Sequence, residues 1–275
     1  MTPPSPDDAF VIRRAESPAD YLACQNAQRL AWGLADESYV VPVATLVGAN
    51  LHGGLVLGAF RPDGSAVGLS FAFLGRIEGK LGLYSQLTGV VPEYQGKGLG
   101  RRLKQEQFRI AEAEGLCCVA WAFDPLQAGN AHFNLDTLGA HASHYVVDMY
   151  GPRTDALNAG TPTDRLIAVW EPHAPARPIL PDDPFAHLPA LIDPDGPSAR
   201  RLDRETPTLL LEIPADLAAL RSSDPDRAGR WRLAAREAFA AAFRAGYQAV
   251  GTIQEARQEG RRQAYVLHRP DPGDG

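Results

Sequence analysis

Between residues 84 and 115 the chain reads YSQLTGVVPEYQGKGLGRRLKQEQFRIAEAEG, and the part that could do chemistry is Gln95-Gly96-Lys97-Gly98-Leu99-Gly100-Arg101. An apolar, strand-like run leads into it through Pro92. From Leu99 onward, Leu99, Leu103, Phe108 and Ala111 alternate with Arg101, Lys104, Glu106, Arg109 and Glu112, the pattern of an amphipathic helix. Glycines at 96, 98 and 100 therefore remove side chains where the first helical N–H groups lie unpaired. Such amides, with the positive end of the helix dipole, form a seat for a phosphate or pyrophosphate. Lys97, Arg101 and Arg102 add positive charge around it. A glycine-rich turn that merely joins strand to helix is the plain alternative; the strand, helix and basic residues together favour the anion seat.

Two nucleotide-binding motifs fail at this position. A Walker loop needs Ser or Thr after its Lys, and Lys97 is followed by Gly98. A dinucleotide fingerprint started at Gly96 needs Gly or Ala at its sixth position, which is Arg101.

What does match is the Q/R-x-x-G-x-G/A signature of the GNAT acetyltransferases, as Gln95, Gly98 and Gly100, preceded by Val90-Val91-Pro92-Glu93-Tyr94 in place of that family's V-x-P-E-Y phrase. The chain resembles that family over about residues 10–150. The resemblance implies a mixed α/β GNAT fold and an acyl-CoA co-substrate, acetyl-CoA or another acyl-CoA, with no metal. It places the pantetheine against the backbone of Thr88, Val90 and Val91, and the pyrophosphate on Gln95, Gly96, Lys97, Gly98, Leu99, Gly100 and Arg101. It further implies an N-acyltransferase, most simply an acetyltransferase, moving the acyl group to a primary amine, with the Val90 N–H facing the developing oxyanion. Asn130 would bond the cofactor amide or simply cap its helix; Asn134 lies one turn on. Two positions depart from the family. Where some members carry a Glu general base this chain has Tyr84, and where many carry a thiolate-protonating Tyr it has Leu135. Those departures keep open a second reading, a non-catalytic acyl-CoA-binding module.

Strict alternation along the strand puts Tyr84, Gln86 and Thr88 on the face of Val90. Of these only Tyr84 can take part in proton transfer, and with an ordinary pKa near 10 it is expected to order a water chain rather than act as a base. His132 is read as a solvated helical His, Asp124-Pro125 as a turn, and the Arg-rich stretch 227–236 as the solvated face of a helix.

The elements that must hold this segment alternate between strand and helix. Strands are expected over 10–14, 54–60, 66–74, 81–91, 116–123 and 144–150, with helices over 18–32, 98–115 and 130–138; Arg61-Pro62-Asp63-Gly64-Ser65 reads as a hairpin turn. This is a mixed α/β sheet. Residues 151–225 hold 13 of the 23 prolines, so 151–207 is expected to be a strand at 165–170 plus an irregular crossover over 172–207. A C-terminal extension over 208–270 then carries a strand–helix–strand–strand block: strands at 208–213, 249–253 and 263–267, and a helix capped by Asp224 with Pro225 at its first position. Trp231, Ala235, Phe239 and Phe243 form one apolar stripe on that helix, and the block is expected to dock rather than float.

Composition narrows the function classes. A net charge of −6 gives no global basic field for nucleic acid or an anionic membrane. Lys80, Lys97 and Lys104 are the only lysines among 27 Lys plus Arg. Cys24, Cys117 and Cys118 make no disulfide framework; on a strand, Cys117 and Cys118 would point to opposite faces. No apolar run approaches a membrane span, and a cytoplasmic monomer or dimer is expected.

Overall fold

The computed structural model describes residues 10–34, 36–152, 161–172, 177–193, 195, 197–202, 205–257 and 260–269. The chain divides into two compact units at Trp121/Ala122, so the domain expected over 10–150 runs across that division.

The first unit is built on β1 (Val11–Arg14), β2 (Leu55–Phe60), β3 (Ala66–Ile77) and β4 (Lys80–Val90), antiparallel in that order. The turn at 61–65 closes the β2–β3 hairpin, with the Ser65 carbonyl accepting from Arg61 N–H at 2.8 Å. Beside β4 the start of β5 (Val119–Phe123) runs parallel. Three helices pack on this sheet: α1 (Pro18–Trp32), α2 (Val43–Leu51) and α3 (Leu99–Ala113).

α1 starts where its cap requires. The Ser17 hydroxyl accepts from Asp20 N–H, the Asp20 carboxylate accepts from Ser17 N–H, and Pro18 fits the first turn. Gly33, at φ +58°, ends it. The Arg13 guanidinium grips Asp20 with two bonds of 2.9 and 2.8 Å, which ties β1 to α1 and holds the Asp20 carboxyl well below the usual carboxylate range. α2 lies outside the elements expected from sequence: its run VATLVGANL mixes Ala and Leu with three β-branched residues and a glycine, and packing fixes it, since Leu46 inserts fully into the core formed with Tyr21, Cys24, Val56 and Leu69.

In the second unit β7 (Arg165–Trp170), β6 (His141–Val146), β11 (Gln248–Arg257), β12 (Gly260–His268) and β10 (Thr208–Ile213) form an antiparallel series in that order. The contact of β6 with β11 places the C-terminal block and the strand expected over 144–150 in one sheet. That strand lies earlier, at His141–Val146. The stretch 172–207 is less irregular than its prolines suggest, since α5 (Pro184–His187) and the short pair β8 (Ile192–Asp193) and β9 (Ser198–Ala199) form within it.

The long helix α7 (Pro225–Arg244) begins at the Asp224 cap, follows α6 (Leu217–Ser223), and lies against β6 and β10. Phe239 is fully buried between the rings of Tyr145, Phe243 and Tyr265. The Arg-rich face of α7 is not simply solvated. Arg232 is buried and makes a two-bond fork to Asp124, and Arg236 makes another to Asp164, which is itself fully buried and also bonded by the Tyr145 hydroxyl. Asp124-Pro125 is accordingly more than a turn: Asp124 anchors Arg232, and the Pro125 carbonyl accepts from Tyr265.

Candidate functional site

β4 ends at Val90, and a 3₁₀ turn (Pro92–Tyr94) carries the chain into the glycine segment. Gly96 has φ +72° and Gly98 has φ +78°, both in the left-handed region that disfavours any other side chain. Gly98 is the N-cap of α3, and the first helical bond runs from Arg102 N–H to its carbonyl at 3.1 Å. The amides of Leu99, Gly100 and Arg101 therefore precede the helical ladder. A Cβ built on Gly96 or Gly98 would meet nothing within 4 Å, and one on Gly100 only Val90 Cγ2, at 3.8 Å. The space before the helix is open, and Lys97, Arg101 and Arg102 stand exposed around it. Lys97 lies over the Tyr94 ring, and Arg61 bonds the Tyr94 hydroxyl at 3.1 Å. Open space, aligned amides and cations fit the pyrophosphate expected at 95–101.

Gln95 does a different task from the loop glycines. Its side-chain amide donates to the Val90 carbonyl at 2.9 Å, which fixes the end of β4 to the start of the turn. Leu99 is buried and anchors the turn to the core, so its contribution to an anion seat is its backbone alone.

Thr88, Val90 and Val91 lie at the other half of the candidate site. β4 pairs with β5 only at Leu83↔Val119 and Tyr84↔Ala120; from Thr88 to Val90 it keeps its β3 partners and has no β5 pairing among the described residues. Val91 N–H bonds the Val67 carbonyl at 3.0 Å. In an antiparallel ladder hydrogen-bonded pairs alternate, so Val90 and Thr88 direct their N–H and C=O groups away from β3, toward the side where no β5 pairing is described and where the Val90 carbonyl accepts from Gln95. An extended chain could take those groups as partners, as the resemblance implies for a pantetheine.

Tyr84 is not where strict alternation put it. Between Phe71↔Leu87 and Ala72↔Ser85 the register shifts, leaving Gln86 as an extra residue in β4. Upstream of this bulge the faces reverse: Ser85, not Tyr84, shares the face of Thr88 and Val90. Tyr84 packs its ring on Phe73 at 5.3 Å on the opposite face. The proposed common face of Tyr84, Gln86, Thr88 and Val90 is thus overturned by one inserted residue.

The side toward α3 holds what the sequence reading missed. Lys104 is only 5% exposed; its ammonium donates to Ser85 Oγ at 2.8 Å and Gln107 Oε1 at 3.3 Å, and sits 4.0 Å from the Trp121 ring centre. Gln107 donates to Ser70 Oγ at 3.1 Å, and Ser70 and Thr88 share a hydroxyl bond of 2.9 Å. Burial pushes the Lys104 amine down to about 7. Its spacing four residues before Phe108 and seven before Ala111, on the buried side of the helix, was the available signal.

Cys117 and Cys118 precede β5, so strand alternation does not separate them; their sulfurs lie 2.9 Å apart.

In the second unit Asn130 is exposed on α4 (Ala128–His132). The helix expected over 130–138 breaks into that turn and a π-helical turn over Phe133–Thr137, which buries Asn134 and Leu135. His132 is more than a lone surface group: its Nδ1 is 3.0 Å from Asp136, which also binds Thr252 and Arg177.

No helix among the described residues is long and apolar enough to cross a membrane. No protein-family model and no curated protein matches the sequence. Solved structures do. A protein from Desulfovibrio desulfuricans, assigned to the GNAT family of acetyltransferases, is 21% identical and matches over 59% of this chain and 99% of its own, with a TM-score of 0.47. The ribosomal-protein-S18-alanine N-acetyltransferase of Escherichia coli is 16% identical over 62% of this chain and 99% of its own, with a TM-score of 0.46. A Salmonella typhimurium protein, assigned as an acetyltransferase and solved with its cofactor acetyl-CoA, is 19% identical over the same shares, with a TM-score of 0.45. All three are acetyltransferases by their own assignments, the first of them in the GNAT family.

Proposed function

We propose that the protein is an acyl-CoA-dependent N-acyltransferase, most simply an acetyltransferase, of the GNAT kind. The observation that carries this reading is the junction of two features: a β4 edge at Thr88 and Val90 with no β5 pairing among the described residues, and an open, basic, glycine-lined helix start at 95–101. One suits an extended amide chain, the other a pyrophosphate, and a CoA thioester carries both.

In the reaction a neutral amine nitrogen forms a bond to the acyl carbon, the C–S bond breaks, and CoA leaves as a thiol while the amine sheds a proton. The outward N–H of Val90 would donate to the developing oxyanion. Leu135 is fully buried and carries no acid, so no protein donor to the thiolate is assigned. That feature favours the second reading, a module that binds acyl-CoA without turning it over.

Calorimetric titration with acetyl-CoA, followed by CoA-thiol release against a panel of amines, tests both. Binding with amine-accelerated release supports the enzyme; binding without acceleration by any amine supports the module; absence of binding overturns both.

A further inference from the structure

We infer that Lys104 is a positioning residue for acyl-CoA: with Ser85, Gln107 and Ser70 it locks the bulge at Gln86 and so decides which backbone groups of β4 face the co-substrate. The inference rests on the acyl-CoA reading above and adds to it a residue outside the glycine loop.

The bulge sets the parity of the strand. Upstream, Leu83 N–H bonds the Cys118 carbonyl and the Leu81 carbonyl accepts from Cys117, so odd-numbered residues face β5. Downstream, Thr88 and Val90 face that side, so even-numbered residues do. The switch occurs at Gln86 and nowhere else in the strand. If the extra residue were absorbed elsewhere, Gly89 would turn its N–H and C=O outward in place of its neighbours. Thr88 would turn its side chain to the face where α1 packs, against which Gly89 has no room for even a Cβ: one built there would lie 2.5 Å from the Trp32 ring. A one-residue slip reverses every face of a strand, so something must fix it.

The buried polar group does so. Ser85 and Thr88 can meet the same helix only when one residue between them is extra. Lys104 holds the first, through its ammonium, and Gln107 holds the second, through Ser70. Ser70 and Gln107 are fully buried, Ser85 and Lys104 nearly so, and a wrong register would strand these groups without partners. Lys104 spans the pair because it bonds both Ser85 and Gln107.

The experiment uses the full chain and two probes, acetyl-CoA and adenosine 3′,5′-bisphosphate, the second lacking the pantetheine arm. Lys104→Met keeps the stem and removes the donors; Ser85→Ala removes the acceptor with little change in volume. Expected is an acetyl-CoA affinity at least tenfold weaker in Lys104→Met and weaker in the same direction in Ser85→Ala. Affinity for the bisphosphate should stay within twofold, and the double variant should be no weaker than Lys104→Met alone. Equal losses for both probes, additive losses in the double variant, or no loss in the folded variants would each overturn the positioning role. If Lys104→Met does not fold, Ser85→Ala decides: unchanged acetyl-CoA affinity overturns the inference. Wild-type protein that binds neither probe overturns the acyl-CoA reading itself.

Discussion

Ser85 and Thr88 stand three residues apart on β4 yet present their hydroxyls to the same helix, one to Lys104 directly and the other through Ser70 to Gln107. In a regular strand residues three apart point to opposite faces. The bulge at Gln86 removes that rule locally, just past the last residues that pair with β5. The place where β4 leaves its neighbour, the reversal of its faces and the burial of a lysine are one arrangement.

The glycine loop gives the most direct test. Gly98 has a left-handed backbone, so any substitution there also adds strain. Gly100 is helical with space around it, and Gly100→Ala should fold at least as stably as the parent, with a gain of up to about 1 kcal/mol. Gly100→Glu should fold as well but place a carboxylate in the proposed anion seat, and acetyl-CoA binding by calorimetry should disappear. Lys97→Ala should weaken binding only a few-fold, since exposed charges are screened by salt. Unchanged affinity in Gly100→Glu would remove the loop from the site.

Lys104 makes stability depend on alkaline pH. Its amine is held near 7 in the folded chain, against an ordinary value near 10.5, because burial disfavours the charged form. Between those values the unfolded chain binds the extra proton, so this residue's contribution to stability rises with pH across that window, by about 1.4 kcal/mol per unit at most. Below pH 7 both states are protonated and the cost of burying the charge is fully present. Urea melts of wild type and Lys104→Met from pH 6 to 10 should show a difference that is flat below 7 and shifts in favour of wild type above it. A constant difference would show that the folded amine stays charged across this range and that burial does not lower it.

Tyr84→Phe keeps the ring on Phe73 and removes a hydroxyl that does not share the face of Thr88. Acetyl-CoA affinity should be unchanged, and turnover with an active amine should stay within about threefold of wild type. A loss of tenfold or more at retained affinity would give the hydroxyl a part in proton transfer from its own side of the sheet.

Arg232 and Asp124 form a fork with bonds of 2.6 and 3.0 Å, with the guanidinium nearly inaccessible to water. Asp124→Ala leaves that cation without its partner and should cost about 3 kcal/mol in urea unfolding. Removing both charges, as Asp124→Leu with Arg232→Met, should cost clearly less. Equal losses would mean that packing, not charge pairing, sets the effect.

The parts of the molecule that local rules govern can be read from short stretches of chain. The Gln95-x-x-Gly98-x-Gly100 turn, the start of α3 after it, the 61–65 hairpin and the Asp224-Pro225 opening of α7 are all legible, because a cap, a left-handed glycine or a fixed proline φ acts within a few residues. Tertiary structure decided the rest. The Gln86 bulge exists only through pairing with β3, so period-two reading placed Tyr84 on the wrong face. Lys104, Arg232 and Arg236 read as ordinary charges on helices, and only partners distant in sequence or brought over by the sheet, Ser85, Asp124 and Asp164, explain where they sit. Helix α2 shows the same limit: its alanines and leucines are offset by three β-branched residues and a glycine, and the pocket that accepts Leu46 is made by strands and a helix elsewhere in the chain. Local chemistry wrote the glycine-lined helix start, while the β4 edge beside it depends on register, which no single segment contains.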